Sequence, residues 1–420
     1  MTINPKSVLS GEIMAPPSKA HTHRALFAGL LSEGITRVEH PLLCDDTQAT
    51  VRAVSALGAK VEQESGMWRV EGNGKPRAPA SEIQCGESGV TLRFTIPIAA
   101  LTGTRVTLRG REVLMRRPLE PLADAMEQLG IKMTSEHDTV QVDGGPPREA
   151  NVQIRGDVSS QFISGLLLAG PLMENGLSMR LMSPLESRNY VSLTVEMMKR
   201  HGIQVVNDAE MAHFEVAPGQ KYMGAAHLIP GDFSSAAFTM SAAAITKSKV
   251  LIRGLPARDA EPDAVFVELL SRMGAKTAFS NDGVSVEGGR LKAISIDLKN
   301  SPDLGPIIAV LGAYAEGETR ITGAARLRYK ESNRLTAIAS ELNALGAQIT
   351  ETSDGLVVNG PTLLSGGLVH SHGDHRIAMA LSVAAIGARE KVVIGDAECV
   401  SKSYPNFFND LRSLGVEIVE

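Results

Sequence analysis

An α/β fold made of six copies of one βαβαββ unit is what this sequence predicts, and three observations predict it. A glycine closes a helical stretch at Gly58, Gly130, Gly202, Gly274, Gly346 and Gly415, a period of roughly 72 residues that shortens to about 69 at the end. A fixed period marks repeated architecture. After each glycine comes an alternating run, as in QLGIKMTSEHDTVQVDG and RMGAKTAFSNDGVSVEG, with a truncated SLGVEIVE at the sixth; alternation is the signature of half-buried strands. Within each period, apolar helical runs alternate with short strand-like ones, which is the pattern of an α/β chain.

The elements can be justified in order from the second period. EIQC reads as a strand, GESG as a turn, VTLRFTIPIAALTG as an apolar helix, TRVTLRG as a strand and PLEPLADAMEQLG as an amphipathic helix; IKMTSE and TVQVDG are the closing strands. The same ending is plainest at 341–360, where ELNALGAQITETSDGLVVNG gives a helix end, a stop at Gly346, a strand, a turn at Asp354-Gly355 and a second strand. Glycine suits the position just past a helix because positive φ carries no Cβ penalty there. A period this long is a small subdomain rather than a solenoid repeat. The segment 217–230, APGQKYMGAAHLIP, is the most linker-like part of the interior.

Composition narrows the function classes. The chain has 420 residues and 43% hydrophobic content, enough to bury substantial cores, and its length suggests two or more domains. A net charge of −5 provides no global field for nucleic acid or membrane, so any anion site must be local. Cys44, Cys85 and Cys399 lack CxxC spacing, which points to a reducing compartment. The N-terminal residues carry no apolar signal region and no run is long enough to span a bilayer, so a cytoplasmic protein is expected.

The first helix of each unit opens on a polar turn: PPSKAHTHRAL, CGESGVTLRF, GDVSSQFISG, GDFSSAAFTM, NSPDLGPIIA and HGDHRIAMAL. The second helices open likewise on DDTQATVRAV, RRPLEPLADA, SRNYVSLTVE, AEPDAVFVEL, KESNRLTAIA and KSYPNFFNDL. N-capping accounts for the Ser, Asp and Asn at these places. It does not account for Lys19, Arg24, Arg93, Arg117, Lys330, Arg334, Arg376 and Lys402, which lie in or beside the same turns. Cations there oppose the helix macrodipole unless an anion sits among them, so a small, highly anionic ligand is expected.

Other motifs are weaker. HSHGDHR at 370–376 matches H-x-H-x-D-H, a zinc-binding run of hydrolases, but no His follows His375 and the run is the sixth copy of a repeated helix start. GESG at 86–89 lacks the second glycine of a nucleophile elbow, since Val90 stands there. No nucleotide fingerprint is present, and Cys85 reads as a buried strand residue.

Taken together, PPSKAHTHRAL, GDVSSQF, KESNRL and DHRIAM resemble the 5-enolpyruvylshikimate-3-phosphate synthase family of enolpyruvyl transferases, in family order along the whole chain. The resemblance implies a two-domain inside-out α/β barrel, with three βαβαββ units about a pseudo-threefold axis in each domain. Residues 15–228 would form the N-terminal lobe, and residues 229–420 the C-terminal lobe, completed by the N-terminal strand at 1–14. It implies transfer of the carboxyvinyl group of phosphoenolpyruvate to the 5-hydroxyl of shikimate 3-phosphate through a non-covalent tetrahedral intermediate. That is a step of the shikimate pathway to chorismate and the aromatic amino acids. No cofactor and no metal are implied, and a monomer with small anionic substrates as its only partners is expected.

Residue by residue, the resemblance assigns shikimate 3-phosphate to Lys19, Ala20, Arg24, Ser159, Ser160, Gln161, Ser187, Asp303 and Lys330. It assigns phosphoenolpyruvate to Lys19, Gly89, Arg117, Gln161, Arg334, Arg376 and Lys402. Asp303 and Glu331, with Lys19 and His375, are the catalytic candidates, Asp303 as base for the hydroxyl and Glu331 as the group exchanging protons with the methylene carbon. The bland alternative for Asp303 is an N-cap after Pro302, which would make it a weaker base. Three positions depart from the family. Ala20 stands in place of a Ser. Glu87 stands in place of a common Asn and should weaken phosphoenolpyruvate binding unless it pairs with Arg93 or Lys402. Val90 stands in place of a Thr bordering the glyphosate site, which implies altered sensitivity to that inhibitor. The related UDP-N-acetylglucosamine enolpyruvyl transferases, which share fold and donor, are the runner-up; against that reading, they carry a reactive Cys where this chain has Glu112.

Overall fold

The computed structural model describes residues 1–145, 147–257 and 262–420. The chain forms two compact units, one of Met1–Pro16 with Pro230–Glu420 and the other of Pro17–Ile229. Each unit holds three sheets with the same internal plan, in which a first strand runs parallel to a second and two antiparallel strands follow. In the Pro17–Ile229 unit the Lys19–Leu31, Gly89–Ala100 and Ser160–Ala169 helices are buried almost throughout, and the Gly89 helix packs on both of the others. In the other unit the Phe233–Ile245, Gly305–Tyr314 and His375–Ile386 helices pack on one another. These helices have no polar face, and a helix that is apolar all round can only be stable inside. The sheets enclose them, so helices form the core and strands the wall: the inside-out arrangement.

The repeat is marked by its glycines. Gly58, Gly130, Gly202, Gly274, Gly346 and Gly415 all take positive φ, from +78° to +105°. The residue after each donates its N–H back to the carbonyl five residues earlier, as from Ala347 to Leu342 and from Val416 to Leu411. The expected helix at AEPDAVFVEL begins on Ala260 and Glu261, which lie outside the described residues; its body runs over Val265–Arg272.

Four strands sit away from their place in the repeat. Ser10–Met14 runs parallel to Lys249–Arg253 and completes the fourth sheet. Thr2–Ile3 lies antiparallel to both Val392–Gly395 and Ile418–Val419, filling the strand that the truncated sixth repeat lacks. The linker-like segment corrects the sequence reading: Tyr222–Met223 and Ala226–Leu228 are strands parallel to Ser32–Glu39. Tyr222 is buried and its hydroxyl donates to the Leu168 carbonyl at 2.9 Å, so burial and hydrogen bonding hold a segment that composition marks as loose.

A buried histidine pair fastens this returning segment. His201 Nδ1 donates to the Met223 carbonyl at 2.8 Å, which leaves Nε2 to accept from His227 Nε2, also at 2.8 Å. Burial lowers the pKa of His201 to about 4, and burial together with His201 lowers that of His227 to about 3. Both stay neutral when folded, whereas the unfolded chain protonates them near 6.5. Stability is therefore lost as pH falls from about 6.5 toward 4, by up to about 1.4 kcal/mol per pH unit for one such proton. His227→Gln keeps a donor for His201 and removes one titration; a thermal-melt series from pH 7 to 4 should show a shallower decline than wild type.

Candidate functional site

In the Pro17–Ile229 unit the site begins at helix starts. Ser18 caps the Lys19–Leu31 helix by accepting from the His21 N–H, and the Lys19 ammonium lies 2.8 Å from Asp46 at the start of the Asp45–Ala56 helix. Ala20, the second helical residue, offers its carbonyl to Arg24 Nη1 at 3.0 Å. Arg24 is 2% exposed, donates from Nε to Thr194 at 2.8 Å and from Nη2 to the Tyr190 carbonyl at 2.9 Å, and stacks over Phe94 and Tyr190. That is a guanidinium clamped in one orientation.

Gly89 is the first residue of its helix, capped by Ser88. A Cβ at this position would stand 3.3 Å from Arg117 Nη1, 3.4 Å from Gln161 Oε1 and 3.5 Å from Arg93 Nη1. The three side chains converge on the same helix N-terminus, with Arg93 Nη1 also donating to Gln161 Oε1 at 2.9 Å. Arg93 and Arg117 are both buried. Two buried guanidiniums at a helix N-terminus make a site for an anion. Ser159 caps the Ser160–Ala169 helix by accepting from the Gln161 N–H, and Ser160 is buried beside it. Ser187 holds φ +55° ahead of the Arg188–Arg200 helix, a left-handed conformation unfavourable for a non-glycine residue and common at functional sites.

In the other unit, four cations face three carboxylates. Asp303 contacts Arg334 at 2.9 Å, Arg376 at 3.2 Å and Lys330 at 3.3 Å. Glu331 contacts Arg334 at 2.6 Å and Lys402 at 3.6 Å. Asp374 contacts Arg334 Nε at 2.7 Å, accepts the Arg376 N–H at 2.9 Å and lies 3.6 Å from His375 Nδ1. With Lys330, Arg334, Arg376 and Lys402 against Asp303, Glu331 and Asp374, the set carries one net positive charge.

Burial pushes Asp303 upward, but Arg376, Lys330 and Arg334 outweigh it and hold the carboxyl well below its usual 3.8. Burial likewise lowers the Lys330 pKa, and Asp303 only partly offsets this. For Arg334, burial is overcome by Asp374, Glu331 and Asp303, which together keep it charged.

The structure bears on several expectations from sequence. Asp303 is not an N-cap: it sits inside the Pro302–Leu304 turn, and the following helix is capped by Leu304 with no side-chain bond. The weakness of Asp303 as a base comes from neighbouring cations rather than from a helix terminus. Glu87 pairs with Arg111 at 3.2 Å. HSHGDHR is the start of a helix, with Asp374 as its cap, while His372 pairs with Glu341 at 2.7 Å. Cys85 is a buried thiol that burial pushes up to about 12, out of reach of nucleophile duty. Sequence reasoning missed Asp46 and Asp374, the partners of Lys19 and Arg334. The signal for Asp374 was its position immediately before His375-Arg376 at a helix start.

No described helix is long and apolar enough to cross a membrane. Comparison with known proteins sets these residues in context. The family model of EPSP synthase (3-phosphoshikimate 1-carboxyvinyltransferase) matches residues 3–411. The 3-phosphoshikimate 1-carboxyvinyltransferase of Methanosarcina mazei is 42% identical over 427 residues, covering 99% of this chain and 98% of that protein. Its counterpart in Methanocorpusculum labreanum is 40% identical over 420 residues, with the same 99% and 98% coverage. Among solved structures, EPSP synthase from Acinetobacter baumannii superposes with a TM-score of 0.84 at 29% identity, covering 100% of this chain and 99% of that one. The enolpyruvyl transferase NikO from Streptomyces tendae gives 0.80 at 19% identity, covering 99% and 97%, a likeness of fold alone.

Proposed function

The chain belongs to the EPSP synthase (3-phosphoshikimate 1-carboxyvinyltransferase) family, and from that premise we propose how its residues move the carboxyvinyl group of phosphoenolpyruvate to the 5-hydroxyl of shikimate 3-phosphate. The 5-oxygen bonds to C2 of phosphoenolpyruvate as its proton leaves and a proton is added to C3. The tetrahedral intermediate then loses a C3 proton and phosphate departs. Arg24 holds the shikimate carboxylate; Ser159, Ser160, Ser187 and Lys330 hold the 3-phosphate; Lys19 and Gln161 touch both substrates. Gly89, Arg117, Arg334, Arg376 and Lys402 hold phosphoenolpyruvate. Asp303 takes the hydroxyl proton, and Glu331, with Lys19 and His375, serves the methylene carbon.

The observation that carries this reading is the cluster at Asp303. Its carboxylate acts as the counter-ion of Lys330, Arg334 and Arg376. When the anionic groups of phosphoenolpyruvate take up Arg334 and Arg376, the Asp303 carboxylate faces less positive charge and becomes a better base. The substrate thus raises the basicity of the group that must act on its partner, which suits general-base catalysis near neutral pH. We further propose that the protein works as a monomer in the cytoplasm; sedimentation at working concentration tests the first point.

A phosphate-release assay tests the function. Phosphate should appear only with shikimate 3-phosphate and phosphoenolpyruvate together. Release with UDP-N-acetylglucosamine as acceptor would favour the other branch of the fold. Gly89→Ala tests the phosphoenolpyruvate side. The glycine φ is ordinary, so the backbone tolerates alanine, but the methyl lies 3.3–3.5 Å from three anion-facing side chains. We expect KM for phosphoenolpyruvate to rise about 10-fold, equivalent to about 1.4 kcal/mol, with the melting temperature unchanged.

A further inference from the structure

Resting on the assignment of Gly89, Arg117 and Gln161 to phosphoenolpyruvate, we propose that His23, Thr50, Thr91 and Ser88 form a buried positioning chain. The chain sets the start of the Gly89 helix against the start of the Lys19 helix, and it thereby fixes affinity for phosphoenolpyruvate. His23 Nδ1 lies 2.7 Å from Thr50 Oγ1, Thr50 Oγ1 lies 2.6 Å from Thr91 Oγ1, and Thr91 Oγ1 donates to Ser88 Oγ at 2.7 Å. His23, Thr50 and Thr91 have no exposed surface and Ser88 has 1%. None is placed to touch a substrate.

Each hydroxyl has one proton, so the donors can be followed. Thr91 gives its proton to Ser88, Thr50 gives its own to Thr91, and His23 Nδ1–H therefore donates to Thr50. The donors all point toward the residue that caps the Gly89 helix. This tautomer leaves His23 Nε2 as a bare acceptor, and that atom has no hydrogen-bond partner among the described residues. An apolar side chain would avoid this penalty if packing were the only task. Burial lowers the His23 pKa to about 3, so the ring stays neutral and works through its geometry.

The chain lies directly beneath the substrate-facing groups. Lys19 and Asp46 pair four residues before His23 and Thr50 on the same two helices, so these helices are joined at two successive turns. The third helix, two residues before Thr91, begins with Gly89. There Arg117, Gln161 and Arg93 close in on the helix start, 3.3–3.5 Å from where a Gly89 Cβ would stand. A shift of a few tenths of an ångström in that helix start is therefore felt by a bound anion. Buried hydrogen-bond networks lose more than one bond when one member is removed, because its neighbours are left unpaired.

Steady-state kinetics with phosphoenolpyruvate and shikimate 3-phosphate test the proposal, using Thr91→Val, Thr91→Ser and His23→Asn beside Gly89→Ala. Thr91→Val removes the hydroxyl at nearly constant volume. It should raise KM for phosphoenolpyruvate at least fivefold, leaving kcat and KM for shikimate 3-phosphate within twofold. Thr91→Ser keeps the hydroxyl, and His23→Asn places an amide near the Nδ1 position; both should restore the wild-type KM. If Thr91→Val does not fold, Thr50→Val carries the same expectation. A phosphoenolpyruvate KM within twofold of wild type in the valine variant, or an equal rise in Thr91→Ser, overturns the chain. If Gly89→Ala also leaves that KM unchanged, it is the phosphoenolpyruvate assignment that has failed.

Discussion

Asp303→Asn is expected to lower kcat by about 10²–10⁴-fold, the range spanned by a positioned general base, while KM for phosphoenolpyruvate stays level or falls. The two parts follow from one arrangement. Asp303 is a counter-ion for Lys330, Arg334 and Arg376. The amide removes the charge that competes with the substrate for these cations and at the same time removes the base. A purely binding role would give the opposite split, with KM raised and kcat intact. The pH dependence of stability has a definite sign as well. The folded carboxyl is held well below 3.8, so its contribution is present above that value and is lost as pH falls through the lower folded value. Asp303→Asn should therefore flatten the strongly acidic limb of the stability profile and leave the neutral region's slope unchanged.

Arg334→Met is expected to be the most destabilising single change in the site. Arg334 is 1% exposed and contacts Asp303, Glu331 and Asp374, the last of which has no exposed surface. Removing one partner of a buried ion pair typically costs about 3–5 kcal/mol, because the remaining charge is stranded. For a folding unit near 200 residues this lowers the melting temperature by on the order of 10 °C. Calorimetry should find the deficit largest at neutral pH, where the stranded carboxylates are charged, and smaller in acid. A variant that melts with wild type would mean that Arg334 is not what holds the carboxylates in place. Activity should also fall beyond detection, since the same guanidinium is assigned to phosphoenolpyruvate.

Legibility differed by kind of interaction. The excess of cations at helix starts could be read from Lys19, Arg334 and Arg376, because it is a local conflict with the macrodipole that sequence position alone exposes. The need for an anion followed from it. What could not be read was which distant carboxylates pair with these cations. Asp46 is 27 residues from Lys19 and Asp374 is 40 from Arg334, and nothing local links the partners. The same holds for Arg93 and Gln161, 68 residues apart, and for the capping role wrongly considered for Asp303. The buried chain from His23 to Ser88 is also invisible in sequence, where His23 is one of several polar residues, with Lys19, His21, Thr22 and Arg24, in the first half of its helix.

The repeat itself was local information. Gly58, Gly130, Gly202, Gly274, Gly346 and Gly415 each end a helix in a conformation that costs glycine least, and the alternation that follows selects strands. Element type, the sixfold period and even the missing last strand were therefore determined along the chain. Which strand fills the gap was not in the local pattern, and only the family resemblance pointed to the N-terminal strand. Thr2–Ile3 completes the sixth sheet, Ser10–Met14 the fourth and Ala226–Leu228 the first. A short strand satisfies its backbone hydrogen bonds equally well on any open edge of matching register. Only the packed units, which bring one such edge within reach of each strand, make the choice.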